Sequence, residues 1–365
     1  MLSELLTRQL PASEGAACYR RIFEVQRLAA PQSSVPQSLS TKYGVPSDGA
    51  QEIVSVRQRF SGALTLWNPA RTAKPQSFTA ASVEDPTLGR SCDFCNWNSL
   101  TAADSFGRVE LEHAVSASNL FKFTRHHGLV LFKHHEPLQF SEPQLADLLC
   151  CGEQWALATA AAHADAAAGS ATLLWNALPR SGASQFHGHA QVVVTPHPLP
   201  EQEREAAAAR AYEAAHPERC GLYAADVGAA HAALGLSRRL RMAGSVAQAY
   251  ASIAPFKDCE VTVAGASVTC PVFVRLLHIA LRALLDRRGV TAFNAAVAGL
   301  RLSADVLSGG VQARIVSRGR AASAASDFGA LEVFGGASIG HTDPWTVMGA
   351  LDAELESRGC AWDRL

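Results

Sequence analysis

The sequence lacks long apolar runs and lacks an excess of charge of either sign. No run approaches the roughly 20 apolar residues that span a bilayer, so we expect no membrane partner. The formal net charge is −1, from 32 basic and 33 acidic residues, so no global positive field predicts a nucleic-acid partner. The N-terminal segment carries Glu4 and has no apolar core of a secretory signal.

A disulfide framework is also absent. The nine cysteines are odd in number and irregularly spaced, which does not suit paired bridges. We therefore expect a reducing, cytoplasmic location, where a Cys-X-X-Cys pair indicates metal or redox chemistry. One such pair is formed by Cys92 and Cys95. The flanking sequence does not follow the strand–CxxC–helix order of thioredoxin-type proteins, so we favour a metal.

What is present is a chain of 365 residues, 48% hydrophobic and 18% charged, which is typical of a globular protein with a sizeable core. This length predicts two domains or one duplicated domain. Strand-like apolar segments alternate with Ala- and Leu-rich helical segments, and the order of elements before residue 200 loosely resembles the order after residue 245. We interpret the similarity as an old duplication.

The most informative segment runs from Ser181 to Gln191. His187, His189 and Gln191 alternate, so on a strand they would project from one face. Burying such polar groups is costly unless each is paired, which proteins tolerate mainly at functional sites. The small residues at 182–185 let backbone amides approach an anion closely. A neutral imidazole can attack phosphorus and form a covalent intermediate. The alternative is an ordinary strand with two structural histidines.

The segment GASQFHGHAQ resembles the active-site motif of the galactose-1-phosphate uridylyltransferase and diadenosine-tetraphosphate phosphorylase branch of the histidine-triad (HIT-like) superfamily. The resemblance implies that His189 becomes nucleotidylated, with Gln191 in the third position of the motif and Ser184 binding phosphate. Further phosphate contacts are implied for a set of neighbouring residues. These are Asn176, Gly182, Ala183 and Gln185.

The resemblance also implies a fold and a division of the chain. The fold would be α+β, with an antiparallel sheet, helices on one face and two related halves. Residues 1–60 would form an N-terminal helix and linker, and residues 61–200 the catalytic half. A helical connector at 201–244 would lead to a second HIT-like half at 245–365.

Two further segments are similar to the uridylyltransferases. The segment WNPARTAKP places Arg71 and Lys74 where that family has two basic residues that hold the nucleotide. The alternative is an exposed basic turn. The segment FGALEVFGG places Glu332 where the family reaches the sugar end of the substrate, commonly across a homodimer interface. Glu332 and the polar Asn294 could equally be satisfied structural groups.

The Cys-X-X-Cys pair is a good half-site for zinc, because a tight turn presents two thiolates to one ion. The resemblance implies a structural Zn²⁺ site formed by Cys92, Cys95, His127 and His187, in which His126 could replace His127. The alternative is a pair of free cysteines. We interpret His134 and His135 as residues of a solvated loop before a proline turn.

The predicted function is nucleotidyl transfer through His189, with nucleotides and sugar phosphates or phosphate as the small-molecule partners. The first choice of substrate is a nucleoside-diphosphate sugar with a hexose 1-phosphate acceptor. The second is phosphorolysis of diadenosine tetraphosphate or an ADP-sugar, since 181–185 is closer to the phosphorylases and Phe186 replaces the usual proline. Hydrolysis is a further alternative. A non-catalytic, zinc-stabilised nucleotide-binding protein is the alternative from another class.

Overall fold

A ten-stranded antiparallel sheet forms the centre of the structure, with the strand order β14-β8-β9-β10-β12-β11-β6-β7-β5-β4. A second sheet has the order β1-β2-β3-β13, in which β13 runs parallel to β3. The computed structural model describes residues 10–29, 35–43, 46, 48, 51–68, 71, 84–85, 87, 92–304, 310–323 and 326–364.

Strands and helices are mixed along the chain, as is typical of an α+β protein. The strands are β1 (Phe23–Ala29), β2 (Glu52–Gln58), β3 (Leu64–Trp67), β4 (Ala114–Ser118), β5 (His126–Phe132), β6 (Ser170–Ala177), β7 (His189–Thr195), β8 (Ser237–Met242), β9 (Ser245–Ala251), β10 (Val261–Gly265), β11 (Phe293–Leu300), β12 (Val311–Ser317), β13 (Ala337–Gly340) and β14 (Trp362–Arg364). The helices are α1 (Glu14–Ile22), α2 (Gln37–Tyr43), α3 (Trp97–Leu100), α4 (Glu142–Ala162), α5 (Ala164–Ala167), α6 (Pro200–Ala215), α7 (Tyr223–Ala233), α8 (Pro271–Arg282), α9 (Ala330–Gly335) and α10 (Pro344–Ser357).

The large sheet is built from two equivalent halves. Each half has the chain order strand, strand, helix, strand, strand: β4, β5, α4, β6, β7 in the first and β9, β10, α8, β11, β12 in the second. The spatial orders also match, because β6-β7-β5-β4 corresponds to β11-β12-β10-β9. The halves meet where β6 pairs with β11, and Asn176 lies directly opposite Asn294. A local two-fold axis therefore passes between these two residues, and the α+β fold with two related halves is confirmed.

Helix α4 determines which strand residues point to the core. It begins at a capping box, in which the Ser141 side chain accepts from the Gln144 amide and the Gln144 side chain accepts from the Ser141 amide. Its Trp155 packs on Gly128 of β5, and its Gly152 packs near Val192 of β7. Since neighbouring strand residues point to opposite faces, the residues on either side of Gly128 and Val192 point away from α4.

That opposite face of the first half is covered by the segment 92–100. Its Phe94 and Trp97 pack on a small apolar cluster that includes Leu129 and Leu131. In the second half, the corresponding face is covered by α7 and by the sheet of β1, β2, β3 and β13. No helix in the described part of the chain is both long and apolar enough to cross a membrane.

We predict opposite stability changes for two glycine-to-alanine substitutions. A Cβ atom at Gly128 would lie 2.4 Å from the buried Trp155 ring, so Gly128→Ala should lower the free energy of unfolding by about 1–3 kcal/mol. Gly349 is exposed in α10, and an added Cβ atom would have no neighbour within 4 Å. Gly349→Ala should therefore raise the free energy of unfolding by up to about 1 kcal/mol. Chemical denaturation of both variants measures the difference, and equal shifts would contradict the packing of α4 on β5.

Candidate active site and metal centre

His189 is held in one tautomer by its own strand. It is the first residue of β7, it is only 6% exposed, and its Nδ1 donates to the carbonyl oxygen of His187 at 2.8 Å. Nε2 therefore carries the lone pair. Burial lowers the pKa of His189, so the ring is neutral near pH 7. A buried neutral imidazole with a free Nε2 is suited to nucleophilic attack.

A cavity of about 170 Å³ lies beside His189. Six of the predicted site residues line it: Gly182, Ala183, Ser184, Gln185, His189 and Gln191. The remaining lining comes from the covering segment and from the end of β4. It comprises Asp93, Phe94, Leu100, Thr101, Ala102, Ser118, Asn119, Leu120, Phe121 and Leu129. The motif residues therefore form one wall of a cavity.

The loop before β7 offers two backbone amides to a ligand. The amides of Gly182 and Ala183 donate within the loop, to Pro179 and Leu178. Gly182 has a φ of +92°, a left-handed conformation that favours glycine. Within the described part of the chain, the amides of Ser184 and Gln185 have no protein acceptor. These two residues line the cavity, so their N–H groups remain available to an anion bound there.

The second half of the protein anchors this loop. Asn294 donates its side-chain amide to the Ser181 carbonyl at 2.9 Å and to Asn176 Oδ1 at 2.7 Å, and it accepts from Arg318 at 2.7 Å. Arg180 donates from the loop to the carbonyl oxygens of Arg318 and Ser323. Asn176 does not line the cavity, and its hydrogen bond with Asn294 helps to position the loop, so a phosphate contact for Asn176 stays a prediction.

Gln191 is oriented by a histidine. His127 Nδ1 accepts from the Phe123 amide, so its Nε2 donates to Gln191 Oε1 at 2.7 Å. Asn119 Nδ2 lies 2.9 Å from the same Nε2. Burial lowers the pKa of His127, so this ring is also neutral. Because Gln191 Oε1 accepts from His127, the side-chain nitrogen of Gln191 remains available to donate to a ligand in the cavity.

Cys92, Cys95, His135 and His187 form a cluster that could hold a metal ion, with one ligand atom from each within 4.8 Å of the others. Cys95 Sγ lies 3.3 Å from His135 Nδ1 and 3.4 Å from His187 Nδ1. Burial and the neighbouring Cys92 raise the pKa of the Cys95 thiol to about 11. A bound cation would reverse this effect, because it stabilises both thiolates.

Both histidines of the cluster are already oriented as metal ligands. His187 Nε2 donates to the Phe132 carbonyl oxygen at 2.7 Å, which leaves its Nδ1 as a lone pair facing the cysteines. Burial lowers the pKa of His187 to about 4, so that lone pair is retained at neutral pH. His135 Nε2 lies 2.5 Å from Asp85 Oδ2, and Asp85 accepts from Thr87 at 2.6 Å. Such second hydrogen bonds fix the tautomer of metal-binding histidines.

His127 lies elsewhere, and this corrects the predicted ligand set. Strands β5 and β7 are antiparallel, so His127 at the start of β5 pairs with Val193 near the end of β7. His187 precedes β7 and therefore lies next to the far end of β5, where the chain continues to His135. His126 is also excluded, because it lies beside Asp165. The antiparallel pairing was the missing signal that would have selected His135.

The cluster and His189 are physically connected. The turn that carries Cys92 and Cys95 also carries Phe94, whose ring meets the His189 ring edge-on at a centroid distance of 5.2 Å. His187 contributes its ring to the cluster and its carbonyl oxygen to His189. An ion in the cluster would therefore fix both the wall and the orientation of the His189 imidazole.

Two further predicted contacts, Arg71 and Glu332, do not line this cavity. Arg71 is exposed and lines neither the cavity at His189 nor the larger cavity of the second half, and Lys74 lies outside the described residues. Glu332 lines a different cavity, in the second half, and pairs with Lys257 at 3.1 Å. For Arg71, Lys74 and Glu332 a substrate contact stays a prediction.

Comparisons with known proteins support the fold. The structure is similar to an ADP-glucose phosphorylase from Arabidopsis thaliana, solved with bound ADP-glucose, at a TM-score of 0.61 and 16% identity over 81% of this chain and 97% of that one. A GalT-like protein from Arabidopsis thaliana has a TM-score of 0.54 and 17% identity over 73% of this chain and 97% of that one. A uridylyltransferase has a TM-score of 0.53 and 13% identity over 84% of this chain and 99% of that one. No protein-family model and no curated protein match the sequence. The fold expected from the motif is thus confirmed.

We predict that Asn294→Ala releases the loop. The substitution removes the donor to Ser181 and leaves Asn176 without its partner, which should lower the local opening free energy of the loop by about 2 kcal/mol. The amides of 182–183 should then exchange with solvent about 30-fold faster in hydrogen-exchange mass spectrometry. Asn98→Ala, at an exposed position of α3, is the matched control and should leave them unchanged. Unaltered exchange in Asn294→Ala would refute the anchoring role.

Proposed function

We propose that this protein transfers a nucleoside monophosphate through a covalent intermediate on His189. The observation that carries the proposal is the buried His189 ring, whose Nδ1 is bonded to the His187 carbonyl oxygen while free amides of Ser184 and Gln185 lie in the same cavity. A nucleophile and a set of donors for phosphoryl oxygens are thus held together on one rigid strand and its preceding loop.

The reaction would be a double displacement. In the first step His189 Nε2 attacks the α-phosphorus of a nucleotide, a P–N bond forms, and the P–O bond to the leaving phosphate breaks with its electron pair on that oxygen. The imidazole becomes positively charged, and its Nδ1–H bond to the His187 carbonyl oxygen stabilises that charge. In the second step an oxygen of the acceptor phosphate attacks the same phosphorus and His189 leaves as the neutral ring.

Gln191 favours a phosphate acceptor over water. An amide donates a hydrogen bond to a phosphoryl oxygen but cannot remove a proton from an attacking water molecule. A phosphate or sugar phosphate arrives with an ionised oxygen and needs no such base. His127 donates a hydrogen bond to the side-chain oxygen of Gln191, which leaves the side-chain nitrogen free to donate to a phosphoryl oxygen.

The first proposed substrate is a nucleoside-diphosphate sugar, with a hexose 1-phosphate as the acceptor. The second is an ADP-sugar with inorganic phosphate as the acceptor, supported by the similarity to the plant ADP-glucose phosphorylase. Arg71 and Lys74 are proposed as nucleotide contacts. Because Glu332 lines the other cavity of its own chain, we propose that it would contact the substrate across a homodimer interface.

We further propose that the cluster of Cys92, Cys95, His135 and His187 binds a structural Zn²⁺ ion. Two thiols and two imidazoles are a donor set that zinc prefers, and four protein ligands leave no open position for water. When bound, the ion holds the covering segment against β7. No chemical step passes through it.

The decisive experiment traps the intermediate. The protein is incubated separately with α-labelled UDP-glucose, ADP-glucose and diadenosine tetraphosphate, and acid-labile label on the protein is measured before and after addition of hexose 1-phosphate or phosphate. His189→Ala should carry no label and should lose at least about 10³-fold in turnover, because the nucleophile is gone. His197→Ala, beyond the end of β7 and outside the cavity, is the matched control. Nucleotide binding without label in the wild type would support a non-catalytic binding protein.

The zinc proposal predicts different effects for two histidines on either end of β5. Elemental analysis of the purified protein should find about one zinc per chain, lost in His135→Ala and retained in His127→Ala. Asp85→Asn should weaken zinc affinity about 10- to 100-fold, because it loosens the His135 ring. Zinc retained in His135→Ala but lost in His127→Ala would instead support His127 as the fourth ligand, as the family resemblance implies.

A further inference from the structure

The second half of the protein contains a larger cavity that shares no lining residue with the one at His189. Its volume is about 330 Å³, within the range of small-molecule sites. The floor is formed by β9, β10 and β12, the walls by α6 and α7, and the roof by β13 and the segment that contains Phe328.

The two-fold axis between Asn176 and Asn294 relates the strands of the two halves. It matches residues that lie equally far along each strand, so Leu174, two residues before Asn176, corresponds to Ala292, two residues before Asn294. Leu174 pairs with Gln191, and Ala292 accepts from the Arg318 amide, so Arg318 corresponds to Gln191.

The same correspondence assigns the position of the candidate nucleophile. Val316, two residues before Arg318, takes the place of His189. Gln312 and Arg314, which line the larger cavity, come before that position on β12. The second half therefore has an apolar side chain where His189 stands, and the larger cavity lies over another part of its sheet.

Two buried hydroxyl groups in this cavity lack hydrogen bonds. Ser338 is 3% exposed and Tyr223 is 6% exposed, and within the described structure neither Ser338 Oγ nor Tyr223 Oη makes a hydrogen bond of good geometry. Burying a hydroxyl without a partner is unfavourable, and such groups in native proteins call for an explanation. Their position in the wall of a cavity indicates a ligand that supplies the missing partners.

The charged groups of the cavity disfavour an anion. Arg314 is fully engaged, with Glu260 at 2.8 Å and Glu201 at 2.9 Å. Glu205 lines the cavity in no ion pair of the described structure, and its burial raises its pKa. Glu332 is occupied by Lys257 and by the Gly329 amide. Arg204 also lines the cavity and pairs with Glu201 at 2.7 Å, while its Nε has no hydrogen-bond partner in the described structure. A phosphate here would compete with the carboxylates that hold Arg204 and Arg314.

The uncharged lining favours a polyol. Amides and hydroxyls come from Gln58, Gln248, Gln312, Ser252 and Thr262, and the aromatic rings of Phe23, Tyr250 and Phe328 lie among them. Amides and hydroxyls both donate and accept, as the hydroxyls of a ligand require. Flat aromatic faces provide apolar contact for a ring.

We propose that this cavity binds an uncharged, ring-shaped polyol, either a monosaccharide or the ribose-bearing part of a nucleoside, without covalent chemistry. The site would lie apart from the one at His189, and it would bind its ligand whether or not His189 becomes nucleotidylated. Ser338 and Tyr223 would supply hydrogen bonds to the ligand.

Isothermal titration calorimetry of the full-length protein with D-glucose and with adenosine at millimolar concentration tests the proposal. Binding of either probe is expected, and the probe that binds identifies the source of the polyol. Ser338→Ala and Tyr223→Phe remove one hydroxyl each and should each weaken that binding about fivefold. Because neither hydroxyl makes a hydrogen bond of good geometry within the described residues, neither variant should lower the melting temperature.

Two controls separate this site from the rest of the molecule. Ser116→Ala removes a buried hydroxyl that accepts from the Val109 amide, so it should lower the melting temperature and leave polyol binding unchanged. Ser184→Trp obstructs the cavity at His189, so it should impair nucleotide binding and again leave polyol binding unchanged.

Three results would overturn the proposal. One is the absence of binding by both probes. Another is binding that Ser338→Ala and Tyr223→Phe do not weaken. The third is tighter binding of glucose 1-phosphate or AMP that depends on those two hydroxyls, which would show that the cavity selects an anion.

Discussion

The site depends on His187, which acts through two different atoms. Its ring nitrogen belongs to the Cys/His cluster, and its backbone oxygen accepts the Nδ1 proton of His189. The first contact fixes the start of β7 against the segment that carries Cys92 and Cys95, and the second fixes the tautomer that leaves His189 Nε2 free. A single residue therefore couples the covering segment to the His189 imidazole. This explains why a cluster with no place for a substrate lies directly beside the cavity.

The duplicated sheet gives the loop before β7 a support that the first half alone does not provide. β6 and β11 pair at the centre, and Asn294, on the second-half strand, holds the carbonyl oxygen of Ser181. Arg318, from the end of β12, holds Asn294 in turn. The second half thus positions the loop through hydrogen bonds to backbone groups, which depend little on the side chains that line the cavity. The loop residues 184–185 can then keep their amides free for a ligand.

The two halves differ because equivalent positions carry different side chains. The first half has His189 and Gln191, and the second has Val316 and Arg318. Arg318 pairs with Asp327 and donates to Asn294, so it supports the loop before β7 and does not line the second cavity. The same backbone scaffold therefore presents a candidate nucleophile on one side of the axis and a supporting ion pair on the other.

The sequence by itself determined the parts that depend on local spacing. Alternation along one strand placed His189 and Gln191 on one face, the small residues 182–185 predicted the loop, and the pair Cys92 and Cys95 predicted half of the metal cluster. The tertiary structure decided what depends on the pairing of distant strands. The antiparallel register of β5 and β7 brings His135, and not His127, to the cysteines, and it gives His127 to Gln191. The two-fold arrangement places Asn176 against Asn294 and Glu332 in another cavity. Spacing along a chain fixes which side chains share a face, but strand register fixes which faces meet, and no local pattern specifies it.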